Sequence, residues 1–494
     1  MTAVTPTDLV SSVDDAVAVA PMRLTVGIKA NAGAGQLVES VSSTVFSTFL
    51  FFYYTAILGL PGSLVGAATA ISLVIDAIAD PLLGSLSDNA RSRWGRRVPF
   101  MFVGAPLVAL GLGLVFSPPA GLSTPGLFAW LVTMSLVMRF AVSTFQVPFL
   151  ALGAELSTDY AERSSVVAYR TVFSIFGPLA VLILGYGVFL GGKVGLRHAE
   201  GYAPLAWSAA ALIVAGGMVA VLGVRRFAGG LAVSAPDSGA FHRRLFDELR
   251  EIFRNPSFRV MFSCSVLFYA AQGLAASLGQ YMNVFVWRIS SEQILFITLC
   301  LFVGLILGVP VAPVLARRLE KKAVVILGLL MFCLAQGGLS SLRALGLFTP
   351  TGAATVLPLG LNSVMAGVGL TITGISIGSM MADAADEHDF LFGARREGLY
   401  FAGLGFAGKA ATGMGALLAG LALDAIHFPK MAAVAGATTQ LSPAMLSNLT
   451  WATGPTAAVV SAAATCILFL YRIDRKRHAE ISEALRARSA KGGS

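Results

Sequence analysis

This sequence has few charged residues for its length. Only 12% of its 494 residues are Asp, Glu, Lys or Arg, whereas soluble chains carry about 25%. Apolar residues make up 56% of the chain, and they recur in runs of about 20, the length that spans a bilayer as a helix. Such continuous runs exclude both a soluble globular protein and a membrane β-barrel, whose strands alternate polar and apolar residues. They predict an all-α polytopic membrane protein.

The motifs on which enzymes depend are also missing from the sequence. Its four cysteines all fall within apolar segments and have no metal-ligand spacing, so we expect no disulfide and no structural metal. A glycine-rich phosphate loop, a metal-spaced His/Cys cluster and a nucleophile elbow are all absent. We therefore expect neither an enzyme nor a cofactor, and no ATP-driven pump.

The net charge of +9 could indicate nucleic acid binding, but the basic residues cluster in short loops between apolar segments. That distribution is typical of membrane orientation and excludes a nucleic acid partner. The first twenty residues carry three Asp, no Lys or Arg and no signal-peptide core. The first apolar helix is therefore expected to act as an uncleaved anchor.

The apolar runs predict twelve membrane helices, in two six-helix halves that indicate an internal repeat. The lysine and arginine bias of the loops predicts that both termini are cytoplasmic. Between the halves lies a polar linker whose Phe241–Phe253 has an amphipathic pattern, typical of a helix on the membrane surface. The expected divisions are a cytoplasmic arm (1–30), an N-terminal bundle (31–225), the linker (226–257), a C-terminal bundle (258–472) and a basic tail (473–494).

Two aspartates, Asp76 and Asp80, interrupt the second apolar run. A carboxylate at mid-bilayer costs roughly 2.5–3.5 kcal/mol, and a spacing of four places both on one helix face. The pair therefore predicts a cation site facing a polar cavity, although a structural pair neutralised by basic residues is the alternative. Repulsion between the two carboxylates favours the protonated form of one of them, as a proton carrier requires. Sodium would need further oxygen ligands, of which Ser143 could supply one, so the coupling ion is H⁺ or Na⁺.

Three segments resemble the melibiose-type sugar:cation symporters, the glycoside–pentoside–hexuronide family of the major facilitator superfamily. Asp76–Pro99 resembles the helix 2 and loop 2–3 signature of that family, and Asp383–Lys409 resembles its helix 10–11 loop and helix 11. Phe52-Tyr-Tyr-Thr55 fits the end of helix 1. The resemblance implies a twelve-helix major facilitator fold, cation coupling by helix 2 acids beside a helix 11 lysine, and sugar binding by acids on helices 1 and 4.

The coupling residues match that pattern better than the sugar site does. Asp76 and Asp80 match the helix 2 acids, and Lys409 matches the lysine. Ala79 stands where sodium-using members usually have Asn. Ser40, with Glu39 before it, stands at the helix 1 acid, and Gln146 and Leu150 stand at the helix 4 acid and its following aromatic residue.

Several other polar residues inside the apolar runs are candidates for solute binding. Arg139, which stays protonated, is equally consistent with a permanent partner for the aspartates. Glu39 is equally consistent with a gate ion pair, and Lys409 also fits as a counter-charge released by cation binding. The predicted solute-binding residues are Glu39, Ser40, Ser43, Arg139, Gln146 and Lys409.

Charged residues at the predicted cytoplasmic helix ends could form ion pairs that close the two halves on that side. The alternative is that these charges only orient the chain in the membrane. The predicted gate residues are Asp88, Arg91, Arg170, Asp383, Asp386 and Arg396.

Together these patterns predict a secondary active transporter that works by alternating access. We expect symport of a sugar or glycoside with H⁺ or Na⁺, by a monomer in the bilayer of a bacterial inner membrane. A transporter or exporter of a lysolipid or another amphipathic solute is the alternative, because the sugar-binding acid and aromatic are replaced. A non-transporting receptor has no evident need for Asp76, Asp80 and Lys409 together.

Overall fold

The computed structural model describes residues 24–90, 92, 94–155, 159–192, 195–197, 199–228, 250–394, 396–429 and 441–492. Within these residues twelve helices are long and apolar enough to cross a membrane, so the predicted number is confirmed. The gate candidate Arg91 and residues 241–249 of the predicted amphipathic helix lie outside the described residues.

The helices of the first half are α1 (Val26–Ile57), α2 (Gly62–Asn89), α3 (Val98–Val115), α4 (Thr124–Glu155), α5 (Tyr160–Leu182) and α6 (Tyr202–Ala228). Those of the second half are α7 (Pro256–Tyr281), α8 (Ser291–Arg318), α9 (Lys321–Ala344), α10 (Val356–Phe392), α11 (Glu397–Ala425) and α12 (Pro443–Leu468). A tail helix, α13 (Arg475–Gly492), follows. Helix α1 ends in a π-helical turn, Tyr53–Ile57. Similar turns follow α5, at Ile183–Phe189, and α7, at Met282–Val286.

Short polar side chains start several of these helices. The Asn255 side chain accepts hydrogen bonds from the backbone N–H groups of Ser257 and Phe258 before α7. Ser290 and Gln293 form a reciprocal capping box at the start of α8. Helix α2 differs, because its N-cap is Pro61, whose side chain makes no capping hydrogen bond. Its first N–H groups therefore need another acceptor.

We call the side on which α1 begins and α12 ends the terminal side, and the other the opposite side. On the opposite side, α2 and α11 are in backbone contact across the two halves. A Cβ added to Gly62 would lie 2.8 Å from the Gly420 carbonyl oxygen, and one added to Gly66 would lie 2.6 Å from that of Ala416. Only glycine permits this approach, so the two halves are closely packed here.

Aromatic and polar contacts extend this closely packed region of the opposite side, which we call the seal. Tyr281 of α7 packs edge-on against Phe52 of α1, with ring centroids 5.1 Å apart, and its hydroxyl is hydrogen-bonded to Thr55. Gln280 donates to the Tyr186 hydroxyl across the same interface. The two halves are thereby joined on the opposite side by a layer of large buried side chains.

Toward the terminal side, α2 and α11 separate. A Cβ on Gly413 would lie 2.9 Å from the Ala70 Cα, whereas one on Gly405 or Gly398, nearer the start of α11, would meet nothing within 4 Å. The space between the halves therefore widens toward the terminal side.

Candidate functional site

A cavity of about 760 Å³ lies between the two halves, within the range of small-molecule sites. Helices α1, α2 and α4 line it from the first half, and α7 and α11 from the second. Among the residues that the structure describes, five charged ones line it: Glu39, Asp76, Asp80, Arg139 and Lys409. The cavity therefore brings together charges that are far apart in the sequence.

Lys409 joins the two halves through the aspartates of α2. Its Nζ lies 2.9 Å from Asp76 Oδ2 and 2.5 Å from Asp80 Oδ2. One ammonium thus occupies the position between two carboxylates where a bound cation would be placed. Burying these charges is tolerated because each has a partner at hydrogen-bond distance.

The two aspartates have different surroundings. The Asp76 side chain is 3% exposed, and its second oxygen, Oδ1, accepts a hydrogen bond of 2.8 Å from Ser143 of α4. The Asp80 side chain is 33% exposed. Asp76 is therefore held by groups from two helices, while Asp80 is open to the water-accessible part of the cavity.

Arg139 is buried one helical turn before Ser143 on α4. Its guanidinium lies over the Phe46 ring, 4.4 Å from the centroid, and it interacts electrostatically with Asp76 and Glu39. Cation–π contact and nearby carboxylates are what stabilise a buried guanidinium. Arg139 is thus a fixed positive charge in the cavity wall.

The other predicted solute residues divide into two groups. Glu39, Ser43 and Gln146 line the cavity. Ser40 is buried away from that lining, with its hydroxyl against Gly177 of α5. Of the neighbours Glu39 and Ser40, it is therefore the glutamate that faces the cavity.

The predicted gate residues that the structure describes lie on the terminal side, where each of them contacts another residue. Asp88 is bonded to Arg97 at 2.9 Å in the first half, and Arg170 lies over the Phe149 ring in that half. The gate residues of the second half also have partners there. Asp383 lies 2.7 Å from Lys321 and contacts His478 of the tail, which also contacts Asp386. Arg396 contacts Glu251 at the linker end. These contacts join residues within one half, or join the second half to the linker end or to the tail.

Sequence reasoning did not identify the cavity residues of α7. Tyr269 and Gln272 line the cavity opposite the first half. They are brought there because α7 packs closely on α11 at Gly415, where an added Cβ would overlap the Ala270 backbone. Two polar side chains three residues apart in an apolar run were the available signal.

The chain is similar to known proteins along most of its length. A family model described as MFS/sugar transport protein matches residues 32–475. An uncharacterised symporter of Synechocystis sp. is 26% identical over 92% of this chain and 96% of its own. The isoprimeverose transporter of Lactiplantibacillus pentosus is 22% identical over 78% of this chain and 77% of its own.

Two further similarities are to a mouse transporter and to a solved structure. The sphingosine-1-phosphate transporter MFSD2B of Mus musculus is 29% identical over 32% of each chain. The crystal structure of a D-xylose-proton symporter superposes with a TM-score of 0.63 at 14% identity, covering 91% of this chain and 98% of that one. This last likeness shows a shared fold.

Proposed function

Because this chain belongs to the MFS/sugar transport protein family, we propose that it takes up a sugar or glycoside together with H⁺ or Na⁺. The family and the relatives are transporters of small molecules, not enzymes, and the chain is an integral membrane protein. The observation that carries the finer proposal is the single lysine, Lys409, placed between Asp76 and Asp80.

An incoming cation would compete with this ammonium for the same two carboxylates. Na⁺ would bind their oxygens, with the Ser143 hydroxyl close to Asp76, and H⁺ would add to one of them. Either event weakens the link of Lys409 to α2 and lets its ammonium turn toward a solute in the same cavity. Cation and solute then favour closure together, since each completes the pairing of charges left by the other.

The proposed orientation assigns the described state to one point of the transport cycle. We place the terminal side in the cytoplasm of a bacterial cell, with both termini inside. The sealed opposite side then faces outward, and the described state, with α2 and α11 apart on the terminal side, is the inward-open one. Release of solute and cation to the cytoplasm would occur from this state.

Transport into proteoliposomes tests the proposal. Labelled glycosides are supplied with an imposed pH gradient, an imposed sodium gradient, or neither. We expect accumulation under at least one gradient, and its loss in Asp76→Asn, which removes one carboxylate charge from the site. Glu480→Gln, on the exposed face of α13, is the control. Unchanged cation-dependent accumulation in Asp76→Asn would show that the aspartates do not couple transport.

A second candidate function, transport of a lysolipid, is favoured by two observations. Leu150 of α4 and Phe401 of α11 line the cavity and are each 41% exposed, so its terminal side presents apolar surface. The sphingosine-1-phosphate transporter is also a relative over a third of the chain. Labelled lysolipids in the same vesicles discriminate the two functions: glycoside uptake that an excess of lysolipid leaves unchanged favours the sugar.

A further inference from the structure

The residues that line the cavity change in character along its depth. Successive residues of one helix lie about 1.5 Å apart along its axis, so their order gives the depth of each. At mid-depth lie the residues that we call the charged belt: Asp76, Asp80, Arg139 and Lys409. We call the part between this belt and the seal the deep end, and the part on the terminal side of the belt the mouth.

The deep end is lined by hydroxyl groups from both halves. Helices α1, α2, α7 and α11 contribute one each: Ser47, Thr69, Ser277 and Thr412. Thr412 follows Lys409 on α11 and lies about 4.5 Å further toward the seal. A Cβ added to Gly273 of α7 would lie 2.2 Å from the Thr412 carbonyl oxygen. Thr412 therefore packs on α7 one turn before Ser277.

Three of these hydroxyls have no hydrogen-bond partner among the residues that the structure describes: Ser47, Ser277 and Thr412. A serine or threonine hydroxyl inside a helix usually bonds to a carbonyl one turn earlier, as the Thr69 hydroxyl does to Val65 O. A hydroxyl that makes no such bond can both donate to a ligand and accept from one. The deep end thus offers three such groups to a solute.

This part of the cavity matches a neutral sugar ring. None of the described residues that line the deep end is charged, so a charged group buried there would have no opposite charge beside it, which is costly. Leu50 and Phe51 of α1 add apolar surface to the same part of the lining. A sugar ring has hydroxyl groups at its edge and C–H groups on its faces, and so fits a wall of each kind.

The mouth has a different surface. Helices α4 and α11 line it with apolar side chains: Val147, Leu150, Phe401 and Leu404. Leu404 precedes Thr412 on α11 by about 12 Å along the helix axis, which is within the reach of one sugar ring and a substituent. An apolar substituent that covers this surface removes it from water, which is favourable in proportion to the area covered.

We propose that the solute is a glycoside with an apolar aglycone, an inference that rests on the sugar or glycoside proposed above as the solute. Its sugar binds the hydroxyls of the deep end, its glycosidic bond lies at the charged belt, and its aglycone covers the mouth. The deep end favours this solute over a lysolipid, because its hydroxyls offer no opposite charge to a charged head group.

Equilibrium binding of methyl and hexyl glucosides and galactosides to the purified protein tests the mouth. For the sugar that binds, we expect the hexyl glycoside to bind at least about tenfold more tightly than the methyl glycoside, and hexanol not to compete. Leu150→Ala should lower this ratio by about threefold and leave the methyl glycoside unaffected. Leu334→Ala on α9, 60% exposed and outside the cavity lining, is the control.

Thr412→Val tests the deep end, because it removes the hydroxyl at nearly constant volume. Both glycosides should bind about tenfold more weakly, with the ratio between them unchanged. Thr412→Ser, which keeps the hydroxyl, should retain wild-type binding. Among deoxy analogues of the methyl glycoside, the one that lacks the bonded hydroxyl should bind no more weakly to Thr412→Val than to the wild type. Thr44→Val is the control, because that hydroxyl bonds within α1 to Ser40 O.

Three results would overturn the proposal. One is equal binding of the methyl and hexyl glycosides to the wild type. Another is unchanged glycoside binding in both Thr412→Val and Ser277→Ala. The third is a lysolipid that displaces the glycosides and binds Thr412→Val as tightly as the wild type, which would assign the cavity to the lysolipid.

Failure of the inference is distinguishable from failure of the proposed symport, because these binding measurements need no gradient. Gradient-driven accumulation of a glycoside, with equal binding of its methyl and hexyl forms, would overturn the inference and leave the symport standing. Preferential binding of the hexyl glycoside, without accumulation under either gradient, would overturn the symport and leave the assignment of the cavity standing.

Discussion

Helices α2 and α11 meet in two regions of opposite character. Near the opposite side they touch through backbone at Gly62, Gly66 and Gly420, with no room for a side chain between them. About three turns further along α2, the same helices are joined by the Lys409 ammonium and two carboxylates. The first contact depends on shape, and the second depends on charge.

The difference shows how one helix pair can both seal the cavity and respond to its contents. Packing of glycines has no titratable or exchangeable group, so a cation cannot alter it directly. An ion bridge in a partly water-accessible cavity is open to competition from any cation that binds carboxylates. We therefore expect substitutions in the charged region to alter coupling, and those in the glycine region to alter which side is open.

Lys409→Gln should have the largest effect, because it leaves Asp76 and Asp80 facing each other without their shared cation. Removing one partner of a buried ion pair costs roughly 3–5 kcal/mol; the partial exposure of Lys409 lowers that cost. We expect gradient-driven uptake to fall by about 100-fold. Initial rates of labelled solute uptake under each ion gradient measure it.

The double variant Lys409→Gln with Asp80→Asn sharpens this result. It removes one charge of each sign and so returns the net charge of the site to its wild-type value; solute exchange should therefore recover in part while accumulation stays lost. If solute exchange does not recover, in protein that still binds solute, Lys409 acts through solute contact rather than through charge.

Gly66→Leu should disturb the glycine region. Overpacking at a close contact costs about 1–3 kcal/mol, so the sealed state should lose about tenfold in population to one that is open on the opposite side. Leu60→Cys, buried at this seal, reports on opening through its rate of labelling by a membrane-impermeant maleimide, with the native cysteines replaced by serine.

Gly338→Leu on α9 is the matched control, since a Cβ there meets nothing within 4 Å. Faster labelling in Gly66→Leu alone would locate the effect in the seal. Equal labelling in both variants would mean that α2 and α11 adjust to the extra side chain without opening.

The sequence predicted the fold better than the site because apolar length is a local property. Each of the twelve helices can be predicted from an apolar run of about 20 residues. Their number and the major facilitator fold are confirmed. The pairing of Lys409 with both aspartates depends on tertiary contacts between helices more than 300 residues apart. The motif match predicts that all three residues lie near one ion. It does not predict that the Lys409 ammonium lies between the carboxylates of Asp76 and Asp80.

The same limit explains Ser40 and Tyr269. Whether Ser40 or Glu39 faces the cavity depends on the rotation of α1. The Ser40 side chain packs against Gly177 of α5, where only glycine leaves room for it. A shift of one residue turns a helix by about 100°, so alignment to the family acid could not decide between neighbours. Tyr269 was missed because aromatic residues are common in apolar helices.

Ser143→Ala returns to the charged region with a smaller change. It removes the hydroxyl that donates to Asp76 Oδ1, and a hydrogen bond to a charged group contributes about 1.5–3 kcal/mol. We expect the cation concentration for half-maximal uptake to change by about tenfold, with the maximal rate less affected. Ser42→Ala is the control, because that buried hydroxyl bonds within its own helix to Val38 O; an equal shift in both would remove the link to Asp76.

Asp424→Ala should have the smallest effect and makes the most direct comparison of the two regions, since it tests a charge placed at the glycine seal. Asp424 of α11 accepts the Gly62 and Ser63 N–H groups at 2.9 and 3.0 Å, and so supplies α2 with the cap that Pro61 cannot. A cap contributes about 1 kcal/mol, which is roughly a fivefold change in the population of the sealed state. Labelling of Leu60→Cys should accelerate by that factor in Asp424→Ala and by less in Asp424→Asn, which retains a capping oxygen. Coupling ratios should stay at the wild-type value in both, because this carboxylate seals the cavity without facing it.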